Sequence, residues 1–293
     1  PRSTLDRSSA ASDVYKRQSL DNIIEPTVKE TQILNEVLPG DYIFDSRPTT
    51  LENIGNIKNV FAIKDNGNGF EYILLPVAAA CWDAWLTSAV LTGATEKIKM
   101  LVAARPGYIN PVLLAKMIAT FDQMTKGRIS INLIAGQNDV ENIAEGVGLS
   151  KNDRYEMMME EVEICKGLWS GTGKFDYDGK FYKLKQAHIG PEIYQKPFPK
   201  FYLGGGSPEA ADFSAKHAHV HLFWGDTVDR IKRNMAQIRT LASKYERENE
   251  IGFGMRLQII CRETESEAWA VAEGLIKNVT DDQKNIIKTH FAG

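Results

Sequence analysis

Between Phe70 and Trp169 the chain repeats one unit three times: an apolar run with strand character, a short stretch of chemically loaded residues, and an amphipathic helix. Apolar runs alternating with helical patterns imply βαβ units on a parallel sheet; closed on itself, such a sheet is a (β/α) barrel whose post-strand loops share one rim. The loaded stretches are Cys81-Trp82-Asp83-Ala84-Trp85, Arg105-Pro106-Gly107 and Asn132 to Gly136. In a parallel barrel all three meet at that rim, and function is to be sought there.

The best-defined helix follows strand Ile98 to Ala103, where Asn110 supplies an N-cap, Pro111 the first helical position and Gly127 the stop after Val112 to Met124. Strand Ile129 to Ala135 leads to a helical stripe of Tyr155, Met158, Val162, Cys165 and Trp169. Residues 171–200 are too long for a plain connection, and Phe175 to Tyr182 reads as a short inserted hairpin. The alternation resumes with strand Phe201 to Leu203, a helix opened by Gly204-Gly205-Gly206-Ser207-Pro208, and strand Val220 to Trp224. A helix carrying Val228, Ile231, Met235 and Ile238 on one face, with Asp226 as its expected N-cap, leads to strand Ile251 to Cys261 and helix Ser266 to Val279.

The N-terminal part is irregular. Residues 1–20 read as a non-native or disordered leader, Ile33 to Leu38 is the candidate first strand, and Leu51, Ile54, Ile57 and Phe61 share a helix face. The expectation is one α/β domain, 21–293, of about seven strands; the last strand of a closed barrel is missing, which implies that the natural protein continues.

Composition excludes several classes. A formal charge of −3 carries no basic excess for a nucleic-acid partner, and no apolar run reaches the roughly 18 residues of a membrane span. Cys81, Cys165 and Cys261 are isolated from one another, so neither a disulfide framework nor a structural zinc site is expected, and a reduced, cytoplasmic setting is.

Four features carry candidate chemistry. Gly205, Gly206 and Ser207, between strand and helix, suit a phosphate, because glycine permits close backbone approach while helix N–H groups and a hydroxyl face an anion; a tight turn with a serine cap is the alternative. Tyr155 is either a second phosphate donor or a staple packing its helix. Asn132 interrupts an apolar strand, and its amide needs a polar partner, either a flavin edge or neighbouring backbone. Arg256 lies among Phe253, Met255, Leu257 and Ile259, where a guanidinium requires an anion. A rival reading takes His219 and His221 as a metal pair of a hydrolase, although no carboxylate-rich strand ends accompany them, and no metal is expected.

Taken together, these blocks resemble the bacterial luciferase-like flavin monooxygenases, most closely the FMNH2-dependent alkanesulfonate monooxygenases. The resemblance spans about Arg47 to Val279 and rests on Leu75-Pro76 with Cys81 to Trp85, Leu101 to Pro106 with Pro111, and Gly127-Arg128 with Asn132. It continues through Arg154-Tyr155, Gly205-Gly206-Ser207, Trp224-Gly225, Phe253 to Arg256, Arg262-Glu263-Thr264 and Glu267-Ala268-Trp269. It implies a TIM barrel with insertions, in which Tyr155 and Ser207 hold the phosphate of reduced FMN and Asn132 lies near its ring. Cys81 would stand where O2 reacts, Trp224 would line the pocket, and Arg256 would pair with a sulfonate or with reduced oxygen. It further implies a separate NAD(P)H-dependent flavin reductase, a small organosulfur substrate converted to an aldehyde and sulfite, and a homo-oligomer. Gln258 departs from the histidine usual in alkanesulfonate enzymes, and relatives take other substrates or a deazaflavin. A truncated, noncatalytic flavin-binding barrel is the alternative from another class.

Overall fold

Ile73, Met100, Leu101, Val102, Ile129 and Ile131 have no measurable exposure, so strands β2 (Phe70–Leu75), β3 (Lys99–Ala104) and β4 (Ile129–Leu133) are covered on both faces, as parallel strands between helices require. The computed structural model describes residues 42–45, 70–78, 81–136, 139–171, 173–256, 260 and 262–285. The expected leader, the candidate strand Ile33 to Leu38 and the helix face from Leu51 to Phe61 lie outside them, as do Gln258 and Cys261.

Strands β1 (Tyr42–Asp45), β7 (Phe201–Gly204), β8 (Val220–Trp224) and β9 (Gly252–Arg256) complete a seven-stranded sheet of order β1-β2-β3-β4-β7-β8-β9. Every pair in it is parallel. The sheet is curled into a half-barrel of TIM type, as the alternation implies. β5 (Phe175–Asp178) and β6 (Lys183–Ala187) form a separate antiparallel hairpin. Glu160 steadies its turn by accepting the N–H groups of Lys180 (2.6 Å), Phe181 (3.1 Å) and Tyr182 (3.0 Å). A Cβ on Gly179 would stand 2.3 Å from a Glu160 oxygen, so a larger residue there would displace the carboxylate from this turn.

Four of the connecting helices carry side-chain caps. Asp83 caps α1 (Ala84–Gly93), and Asn110 caps α2 (Pro111–Thr125) by accepting from Val112 N–H at 3.0 Å. Ser150 caps α4 (Lys151–Trp169), which follows the short α3 (Asp139–Ala144), and Ser207 caps α5 (Pro208–His217). α2 ends where Lys126 turns left-handed and the N–H of Gly127, at φ +89°, returns to Asp122 O. α6 (Val228–Ala242) corrects one expectation: its N-cap is Thr227, while Asp226 accepts the Thr227 N–H at 2.7 Å and pairs with Arg230 at 3.3 Å. Asp226 lies one residue too early to face the helix's free N–H groups.

Strand alternation sorts the core into two layers. Ile73, Met100, Val102, Ile131, Phe201 and Leu203 belong to the helix-facing cluster, whereas Tyr72, Leu74, Leu101 and Tyr202 form the inner one, with Val220 and Leu222 against it. These elements all belong to one compact unit, Gly40–Arg256. The second unit, 1–39 with 257–293, contributes α7 (Glu265–Ile276), opened by a reciprocal capping box between Thr264 and Glu267.

Candidate active site

Because the seven strands are parallel, the loops after β2, β3, β4 and β7 and the last residues of β8 and β9 lie at one end of the sheet. Cys81, Arg105, Asn132, Ser207, Trp224 and Arg256 all come from that end. Two buried arginines fix its loops. Arg105 pairs with Glu141 (3.2 Å) and Glu145 (2.7 Å) and donates to Val77 O (3.1 Å), tying α3 to the end of β2. Arg154 donates to Ala135 O (2.7 Å), Leu149 O (2.7 Å) and Gly136 O (3.1 Å), so one guanidinium holds both ends of the loop after β4.

Tyr155, one position on from Arg154, meets the start of α5. Its hydroxyl faces that of Ser207, and burial raises its pKa, keeping the O–H protonated. A Cβ on Gly205 would stand 2.8 Å from Ala210 Cβ and 3.6 Å from the Tyr155 hydroxyl oxygen, so only glycine lets the loop pass this close. Ser207 accepts from Ala210 N–H at 3.3 Å. Hydroxyls and first-turn N–H groups therefore converge at a helix N-terminus, a set suited to an anion. Tyr155 also packs on Phe213, 6.5 Å between ring centres, so it is both staple and hydroxyl donor. No distance places Gly206 against this corner.

Asn132 pairs in register with Ala103 and Tyr202 and so shares the inner face with Tyr202, whose ring lies 5.8 Å from that of Tyr72. It is 7% exposed, and its Oδ1 is buried with no hydrogen-bond partner among the described residues. Leaving such an atom unpaired costs about 1 to 3 kcal/mol, so the site fits a ligand that donates an N–H here. Trp224 and Arg256 are register partners, on the inner face by the same alternation, with the guanidinium 4.6 Å from the indole centre. Cys81 is half-buried in a turn whose N–H returns to Ala78 O at 2.8 Å. The structure thus brings Tyr155, Gly205 and Ser207 into one corner and pairs Trp224 with Arg256, with Asn132 on the same inner face as that pair.

His219 and His221 lie in the helix-facing layer. His219 Nδ1 accepts from Phe201 N–H at 3.0 Å, while His221 Nδ1 bonds the Ser214 hydroxyl at 2.7 Å. Burial lowers both rings to about 4, keeping them neutral. Among the described residues no group of three or more His, Cys, Asp or Glu side chains could hold a metal ion, and no helix is long and apolar enough to cross a membrane.

Three residues near this end escaped the sequence reading. Lys151 and Glu209 form an ion pair of 3.0 Å between the first turns of α4 and α5, and their separation in the chain gives no local signal. Glu161 accepts from Gly107 N–H (2.8 Å) and Tyr182 O–H (2.7 Å), and desolvation raises its carboxyl from the ordinary 4.5 to about 7. The folded state therefore holds a proton that the unfolded chain releases between those values, so this contribution to stability is full below pH 4.5 and lost as pH rises to 7. Glu161→Gln should flatten the urea-unfolding stability between pH 5 and 8 by an amount on the order of 3 kcal/mol; an unaltered pH dependence would contradict this assignment.

The profile of the family described as Luciferase-like monooxygenase matches residues 47–292. Similar solved structures include riboflavin lyase RcaE (TM-score 0.74, 16% identity, 86% of this chain and 69% of that one). Long-chain alkane monooxygenase LadA follows at TM-score 0.68, 20% identity, 76% of this chain and 61% of that one. EDTA monooxygenase EmoA from Chelativorans sp. BNC1 aligns at TM-score 0.70, 15% identity, 83% of this chain and 70% of that one. The chain thus spans 61% to 70% of these proteins' lengths, and at such identities they speak for the fold. On the extent of the family match, the chain belongs to the luciferase-like monooxygenases.

Proposed function

We propose that the protein is an FMNH2-dependent monooxygenase that uses O2 to oxidise a small organosulfur compound, an alkanesulfonate being the reference substrate, with reduced flavin supplied by a separate reductase. The observation that carries this reading is the convergence of the Tyr155 and Ser207 hydroxyls on the α5 N-terminus, at the same end of the sheet as Asn132, whose buried Oδ1 has no partner among the described residues. Reduced FMN supplies, when bound, the two electrons with which oxygen is activated.

The chain's residues then have distinct tasks. Ser207, Tyr155 and the first-turn N–H groups of α5 bind the phosphate and fix the cofactor's position. Asn132 Oδ1 accepts a ring N–H and sets its orientation. Tyr72, Tyr202, Leu222 and the Trp224 indole exclude water from the inner face. Arg256 pairs with a sulfonate and stabilises negative charge developing on oxygen, and Cys81 borders the same space.

Ser207→Ala should weaken FMN by a contact worth roughly 1 to 3 kcal/mol, with riboflavin, which lacks the phosphate, unaffected. Equal FMN affinity in the two proteins would refute the assignment. The functional test is an anaerobic titration with reduced FMN, followed by oxygen and sulfite detection across several alkanesulfonates. Saturable binding and sulfite release support the reading; absence of flavin binding ends it.

A further inference from the structure

The phosphate corner already holds an anion of the chain's own. Glu209 is the second residue of α5, and its Oε2, sealed from solvent, lies 3.0 Å from Lys151 Nζ. Its place in the first turn of α5, with its own backbone N–H, Lys151 and the Ser207 hydroxyl beside it, holds the carboxylate down at about 2, so it is ionised near neutral pH. These donors belong to the set that would serve a phosphate. Lys151 opens α4 four residues before Tyr155, so the two lie on one face of that helix and address the same corner. The Lys151 side chain remains 48% exposed, which leaves it room to change partner.

Resting on the FMN-phosphate reading, we propose that Glu209 is an internal competitor for the cofactor's phosphate: it occupies the α5 donors in the ligand-free chain, gives them up when the phosphate arrives, and Lys151 passes from the carboxylate to the phosphate. The exchange runs forward because a phosphate monoester carries about −1.5 to −2 charges near pH 7 against one on the carboxylate, and gains more from the same helix end and lysine. It is opposed by the contacts Glu209 must surrender. The affinity for phosphate-bearing flavin is therefore set below what the bare donors would give, while an uncharged flavin, which cannot displace the carboxylate, is indifferent to it.

The test is a set of fluorescence titrations with oxidised FMN and with riboflavin on the unaltered chain, Glu209→Gln and Lys151→Met, with circular-dichroism melts as the check of folding. Glu209→Gln, isosteric and uncharged, should bind FMN 3- to 10-fold more tightly with riboflavin unchanged. Lys151→Met should bind FMN at least 5-fold more weakly, again with riboflavin unchanged. FMN affinity that stays constant or falls in folded Glu209→Gln overturns the competition, and FMN affinity that stays constant in Lys151→Met overturns the transfer of the lysine. A different outcome marks failure of the underlying reading: FMN and riboflavin binding the unaltered chain equally, with Ser207→Ala also without effect, removes the phosphate corner and the competitor with it.

Discussion

Arg154→Met is expected to lower the stability of the fold by about 3 to 5 kcal/mol, because three backbone carbonyls lose the donor that satisfies them. Arg154 is 2% exposed and sends N–H bonds to Ala135 O, Gly136 O and Leu149 O, with Asp139 at 2.9 Å from Nη2. Methionine fills much of the volume yet leaves three carbonyls without their donor, each costing about 1 to 3 kcal/mol if no water replaces it. Asp139 adds little, since its side chain is 71% exposed and regains water. Arg154→Lys should recover only part of the loss, because an ammonium cannot reproduce the planar fork that spans both ends of one loop. Denaturant unfolding decides the matter: a midpoint and slope that place Arg154→Met within 1 kcal/mol of the unaltered protein would contradict the role given to Arg154.

Arg256→Met is expected to reduce kcat/KM by about 10² to 10³, the usual consequence of removing one preorganised donor from developing charge, with FMN affinity unchanged. Arg256 ends β9, its register partner Trp224 ends β8, and alternation puts both on the inner face with Leu222. The indole, 4.6 Å from the guanidinium, holds it by its π-face. Arg256→Lys should fall between the two, keeping charge and losing the fork. If FMN affinity dropped with turnover, or turnover stayed within tenfold, the division of labour between Arg256 and the α5 corner would be wrong.

How far the chain could be read without coordinates followed the range of the forces involved. Asn110-Pro111 marked the start of α2 because capping and proline geometry act within one turn, and β8 was bounded correctly at Val220–Trp224 because its apolar run is self-contained. β1 was not found: its four residues, Tyr42–Asp45, have a strand partner only through β2, far along the chain. β9 was drawn from Ile251, whereas its first ladder residue is Gly252 opposite Val220, a register fixed by the neighbouring strand. Asp226 suits an N-cap by residue type, but α6 begins at Val228, so Thr227 holds the cap position and Asp226 lies one residue outside it. At the candidate site, Ser207 and Tyr155 stood out as hydroxyls at helix starts. The carboxylate and lysine beside them, Glu209 and Lys151, did not, since two ordinary surface-type residues become a pair only when α4 and α5 pack side by side.

The most direct test of the central claim is a crystal structure of the chain with reduced FMN bound under anaerobic conditions. The expected result is the phosphate within hydrogen-bond reach of Ser207 Oγ and the Tyr155 hydroxyl, with the ring over the inner face at Asn132. Flavin bound at the opposite end of the strands, beside Phe201 and His219, or on an outer helix, would contradict it.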